Sequence, residues 1–283
     1  MKYVRGWITK PPPTFILGVG AQKAGTSWLF QYLKRVRHSD MPGHKEFHVW
    51  DVLDFPSAQK YRSPEIPRHS HDARVRDMVE DPEKYFDFFS ARLTESRITA
   101  DITPNYAGLG VERLRMINDE FASRGIQVKS ILLVRDPVSR CVSAFRMVRA
   151  RRDARLSRQS SPADMDEAFL RYALSEDCEV RTRYESTWAA NDEAFGADHV
   201  HVEFFESLFT EKALTRLDKF LCSHGWHKLR ERQYNTASPD QTWQPQPDAL
   251  AQVAHQYRST YDYVLSRAPE CRAAWRGFEL LDN

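Results

Sequence analysis

A short apolar strand that runs into a glycine-bearing turn and straight on into a helix constrains this chain more than any other feature. Residues 14–28 read Thr14-Phe-Ile-Leu-Gly-Val-Gly-Ala-Gln-Lys-Ala-Gly-Thr-Ser-Trp28. The run Phe15-Ile16-Leu17, bounded by glycine, predicts a buried strand, and Leu29-Phe30-Gln31-Tyr32-Leu33 has the apolar spacing of a helix. A helix that begins directly after such a turn presents orphan backbone N–H groups, and its dipole adds partial positive charge. Here the donors are predicted to be those of Ala24, Gly25, Thr26 and Ser27, with Lys23 adding a full charge. The segment predicts a phosphate cradle.

The residue order separates this cradle from the triphosphate loop, which requires G-x-x-x-x-G-K-[ST] with lysine directly after the second glycine. Lys23 instead comes two residues before Gly25, and Thr26 follows that glycine. No acidic strand end stands out as a partner for magnesium. The order Lys-x-Gly-Thr-Ser-Trp resembles the 5′-phosphosulfate loop of sulfotransferases, which use 3′-phosphoadenosine 5′-phosphosulfate (PAPS). That resemblance implies adenine stacking by Trp28, as in the cytosolic small-molecule branch; a plain core tryptophan is the competing reading. An ordinary turn with a surface lysine is the bland alternative for the whole loop.

A second segment follows the same plan. Lys129-Ser-Ile-Leu-Leu-Val134 predicts a buried parallel strand, with Arg135 at its C-terminal end. Asp136 suits a helix N-cap and Pro137 the first helical position. Ser143, about two turns on, can share a face with the helix entrance. The string Arg135-Asp-Pro-Val-Ser-Arg-Cys-Val-Ser143 is similar to the sulfotransferase 3′-phosphate motif, which implies that Arg135 and Ser143 hold that phosphate. Without the resemblance, the segment is a capped helix with a surface arginine.

A third segment, Lys45-Glu46-Phe47-His48-Val49-Trp50-Asp51, resembles the Lys-Glu-x-His-Phe-Phe-Asp stretch of glycosaminoglycan-type sulfotransferases. The resemblance implies Glu46 as general base, supported by His48 and Asp51. An alcohol must lose its proton as its oxygen attacks sulfur, and a carboxylate in hydrogen-bond reach can accept it. In an extended segment Glu46 and His48 share one face. Asp101-Ile-Thr-Pro-Asn-Tyr106 is similar to the family's acceptor-cleft segment, but Ile102 stands where the family has lysine. That change disfavours a heparan-like acceptor. His199-Val-His-Val-Glu203 with Phe204-Phe-Glu-Ser-Leu208 looks like the last strand and its turn, and Asn235-Thr-Ala-Ser-Pro239 falls where a closing cofactor loop is expected.

The 283 residues, 41% hydrophobic, suffice for one large core. Strand-like runs alternating with helical patterns predict a single α/β domain over 1–283 with a central parallel sheet flanked by helices. Residues 52–90, rich in proline, read as an insertion over the acceptor cleft; His69 and His71 there lack an evident third metal ligand. A net charge of +2 makes no case for nucleic acid. The arginines at 146, 149, 151, 152, 155 and 158 fit a solvated helix face or attraction of an anionic cofactor. Four cysteines without C-x-x-C spacing suggest free thiols in a reducing compartment, and no apolar span or signal peptide precedes the first strand.

The expectation is therefore a cytoplasmic, metal-independent sulfotransferase moving a sulfuryl group from PAPS to a hydroxyl of a small molecule or carbohydrate. Its product would be adenosine 3′,5′-bisphosphate. A polysaccharide acceptor, a P-loop kinase and a non-catalytic nucleotide-binding module are the alternatives.

Overall fold

A computed structural model describes residues 12–56, 58, 71–153, 162–222 and 243–282. Four strands lie in the order β2-β1-β3-β4, every neighbour parallel. They are β1 (Thr14–Gly20), β2 (Ile98–Ile102), β3 (Gln127–Val134) and β4 (Val200–Phe204). β1 and β2 are buried throughout and β3 nearly so, which explains their unbroken apolar runs. The half-buried β4 forms the sheet edge. Parallel strands need crossovers, and helices supply them.

Helices α1 (Thr26–Leu33), α2 (Val49–Asp54), α3 (His71–Glu80) and α4 (Glu83–Arg92) lie between β1 and β2, and α5 (Val111–Ser123) between β2 and β3. From β3 the chain enters α6 (Pro137–Asp153), α7 (Pro162–Ala173), α8 (Glu176–Glu179) and α9 (Tyr184–Phe195), then β4. Beyond β4 come α10 (Glu211–Leu221), α11 (Pro247–Gln256) and α12 (Arg258–Arg267). Among the described residues no helix is long and apolar enough to cross a membrane.

Two packing details bear on the site. Gly18 of β1 lies so close to Ile102 that a Cβ there would come within 2.6 Å of the isoleucine Cδ1. Ile102 is fully buried, so this departure from the family's lysine is a core residue. The 52–90 stretch also contributes to the core rather than only covering a cleft. Tyr85, Phe86 and Phe89 of α4 are buried, and Tyr85 and Phe89 pack edge-on against Phe15 of β1. Their spacing puts them on one helix face, the pattern of a packed amphipathic helix. His69, Asn235–Pro239 and the arginines at 155 and 158 lie outside the described residues. Arg146 ties α6 to the chain ahead of α11 by donating to the Trp243 carbonyl at 3.1 Å.

Candidate active site

The C-terminal ends of β1 and β3 bring the predicted segments together. The Ala21 N–H donates to the Leu133 carbonyl at 2.6 Å, so the turn after β1 rides on the end of β3. Gly25, with φ 97°, is the N-cap of α1, and no side chain caps that helix. The left-handed backbone and a Leu208 methyl 2.7 Å from any added Cβ both require glycine there. The helix entrance thus keeps donors that an anion can use.

The Ala24 N–H is committed to the Ala21 carbonyl at 3.2 Å and Ala24 is fully buried, so the usable donors start at Gly25. Trp28 is 1% exposed, stacked on Tyr32 at 5.1 Å with Phe209 edge-on at 5.6 Å. That placement agrees with the competing reading of Trp28 as a core residue.

Arg135 leaves the end of β3 and reaches across to the loop, its Nη1 donating to the Lys23 carbonyl at 3.1 Å. Its guanidinium lies 4.4 Å from the centre of the Phe205 ring, and its buried Nε has no partner among the described residues. Burial lowers its pKa, opposed chiefly by Glu206, yet a guanidinium remains charged in any physiological range. The capping expectation for Asp136 holds, since its Oδ1 accepts from the Ser139 N–H at 2.8 Å. Its Oδ2 accepts from the Gly277 N–H at 2.7 Å, pinning the C-terminal segment to this turn. Ser143 is half-buried on α6.

The Glu46 segment joins this cluster through a residue to which the sequence reading gave no role. Lys45 donates from Nζ to the Thr26 hydroxyl at 3.2 Å and pairs closely with Glu46. Glu46 Oε2 lies 3.2 Å from His48 Nε2, and His48 Nδ1 lies 2.8 Å from Asp51 Oδ2. Asn105 donates to the same Asp51 oxygen at 2.6 Å and accepts from Arg181 Nε at 2.7 Å. Glu46 and His48 meet as expected, although a left-handed turn at His48 (φ 54°), not a strand, brings them together.

The 101–106 segment seats this arrangement from below. Thr103 Oγ1 accepts from the Phe47 N–H at 3.0 Å and donates to Asp101 at 2.6 Å. Tyr106 accepts from the Val49 N–H and donates to Asp101. Burial raises the Asp101 pKa to about 6, despite the hydrogen bonds it accepts from Thr103, Tyr106 and Tyr85.

Electrostatics assign distinct states to Glu46 and His48. Burial favours the neutral imidazole, but hydrogen bonds to Asp51 and Glu46 outweigh it and raise His48 to about 9. Burial likewise works against the Glu46 carboxylate, yet His48 and Lys45 bring its pKa down to about 2. At neutral pH the cluster holds an imidazolium between two carboxylates.

The linked stability has opposite signs on the two sides. His48 stabilises fully below its ordinary 6.5, and this is lost as pH rises through about 9. Glu46 contributes fully above its ordinary 4.5, and this is lost as pH falls towards about 2. A titration by nuclear magnetic resonance should find His48 protonated until about pH 9, and Asp51→Asn should bring its midpoint down. An unshifted midpoint in the wild type would contradict the arrangement.

No protein-family model matches the chain, and no curated protein matches its sequence. Among solved structures it is similar to a sulfotransferase from Alicyclobacillus acidocaldarius, at TM-score 0.59 and 19% identity, over 91% of this chain and 96% of that one. The fold is that of a sulfotransferase. A sulfotransferase domain from the Synechococcus PCC 7002 olefin synthase overlaps more loosely, at TM-score 0.48 and 16% identity over 86% of each chain.

Proposed function

We propose that this chain is a sulfotransferase that moves a sulfuryl group from PAPS to a hydroxyl of a small-molecule or carbohydrate acceptor. The observation that carries this reading is Lys45, which joins Thr26 of the anion cradle to Glu46 of the candidate base cluster. A cradle for the donor and a base for the acceptor are thereby adjacent, as sulfuryl transfer requires. Arg135, hydrogen-bonded to the Lys23 carbonyl and with Nε unpartnered, fits a second phosphate beside the first.

PAPS supplies an activated sulfuryl group on a phosphate leaving group. Backbone donors from Gly25 to Ser27 hold the 5′-phosphate end, and Lys23 neutralises the charge that develops on the leaving oxygen. Arg135 and Ser143 take the 3′-phosphate. Glu46 accepts the acceptor hydroxyl proton as its oxygen bonds to sulfur and the sulfur–phosphate-oxygen bond breaks. A carboxylate held at about 2 is a weak base, since general bases work best near the operating pH. Lys45 resolves this: drawn towards an anion in the cradle, it relaxes its hold on Glu46, whose basicity then rises. His48 is protonated at neutral pH, so it orients and neutralises rather than accepting the proton.

The buried Ile102 leaves no cation at that point of β2, which favours a small or modest-sized acceptor over a long acidic polymer. The test is transfer from labelled PAPS to panels of carbohydrate, phenolic and alkyl alcohols, alongside melting with adenosine 3′,5′-bisphosphate. Melting temperature should rise with ligand concentration by mass action. Activity at saturating PAPS should depend only weakly on salt, because few screened charge pairs engage the acceptor. No stabilisation and no transfer across the panel would defeat the reading; a steep salt loss with an acidic polysaccharide would change only the acceptor.

A further inference from the structure

Beneath the Arg135 turn lies a charged group that sulfuryl transfer does not use. Arg140, in the first turns of α6, is fully buried, and its Nε and Nη1 have no hydrogen-bond partner among the described residues. Among the described residues no carboxylate pairs with it. Its Nη2 points instead at sulfur, 2.7 Å from Cys178 Sγ and 3.4 Å from Cys141 Sγ. The two sulfurs are 3.6 Å apart, and both cysteines are fully buried.

A guanidinium cannot shed its proton in a protein, so it must find a counter-charge or bear the full cost of uncompensated burial. The phenols of Tyr172, Tyr184 and Tyr257 surround it, but burial pushes all three pKa values up and keeps them neutral. The thiols are the remaining source of negative charge. Cys178 is drawn below the ordinary thiol range by its hydrogen bond with Cys141, against burial and with help from Arg140. Cys141 is pushed up by burial. The buried guanidinium thus favours a Cys178 thiolate facing a Cys141 thiol across 3.6 Å.

We propose that Cys141 and Cys178 form a peroxide-reactive dithiol, with Cys178 the attacking thiolate, Arg140 its counter-ion and Cys141 the resolving thiol. The Cys178 thiolate displaces hydroxide from hydrogen peroxide and becomes a sulfenic acid. Cys141 then attacks that sulfur, a disulfide forms and water leaves. Two thiols lose two electrons in all, and one peroxide is reduced to two waters. A disulfide needs its sulfurs at about 2.0 Å, so the two side chains must rotate towards each other to close the 3.6 Å gap. Access requires no large opening: Cys178 lies on the inner side of α8, a single short helix whose Glu176 and Asp177 are exposed. Peroxide is close to water in size and can enter through a local fluctuation of such a peripheral element.

The test uses the whole reduced protein, exposed to a slight excess of hydrogen peroxide, then unfolded and alkylated for peptide mass mapping. A Cys141–Cys178 linked peptide lighter by two hydrogens, reversed by dithiothreitol, is the expected result. In Cys141→Ser, Cys178 should accumulate as a sulfenic acid that dimedone traps. Full alkylation of both residues, with oxidation confined to the exposed Cys222, would overturn the proposal. A measurement on the unaltered protein guards against misfolding of the variant. With carbon-13-labelled cysteine, one Cβ resonance should sit at a thiolate shift at neutral pH; four thiol resonances would remove the counter-ion and the proposal with it.

Discussion

Glu46→Gln is expected to lower sulfuryl transfer by on the order of 10²–10⁴-fold, the usual worth of a positioned general base. Affinity for adenosine 3′,5′-bisphosphate should change little, because the proposed function puts Glu46 on the acceptor side of the cradle. The substitution keeps the side-chain shape and leaves an oxygen that can still accept from His48, so the local backbone has no reason to move. It removes one of the two carboxylates that hold the imidazolium, so the His48 midpoint should fall from about 9. That shift makes the experiment informative even before turnover is measured. Near wild-type turnover together with a lowered His48 midpoint would show that the cluster is intact and Glu46 structural.

The parts of this molecule that were legible in its sequence are those set by local chemistry. Apolar runs at 15–17 and 129–134 announced buried strands, which the structure extends to 14–20 and 127–134, because a strand covered on both faces needs no alternation. Asp136 and Pro137 announced a helix start through capping and fixed φ, and the helix begins there. Relations between distant segments were harder to read. Periodicity marks Trp28 as a residue on an apolar face but cannot say that Tyr32 and Phe209 close over it. The proline-rich composition of 52–90 hid the aromatic face of α4, whose partner Phe15 lies some seventy residues away in sequence. Lys45 stood beside Glu46 in the sequence, yet its reach to Thr26 depends on how two loops dock. The guanidinium–thiol cluster gave no spacing signal, because Cys141 and Cys178 come from different helices. Its one sequence clue was an arginine, Arg140, at a position that the first turns of α6 bury.

Arg135→Ala is expected to weaken adenosine 3′,5′-bisphosphate by about 2–5 kcal/mol, roughly thirtyfold to a few thousandfold, as for loss of one partner from a desolvated charge pair. Its effect on 5′-AMP, which lacks the 3′-phosphate, should be much smaller. Comparison of the two ligands by calorimetric titration matters because Arg135 has two possible duties. It donates to the Lys23 carbonyl and packs on Phe205, so it braces the turn that carries Lys23. Bracing alone would cost both ligands equally, since the proposed 5′-phosphate cradle would serve both. Direct contact with the 3′-phosphate costs only the ligand that has one. Arg135→Lys sharpens the distinction, because it keeps the charge but loses the planar fork that can span a carbonyl and a phosphate together. It should restore part of the bisphosphate affinity by Coulomb attraction. Equal losses for both ligands in Arg135→Ala, with no recovery in Arg135→Lys, would leave Arg135 a brace and send the search for the 3′-phosphate contact to other residues.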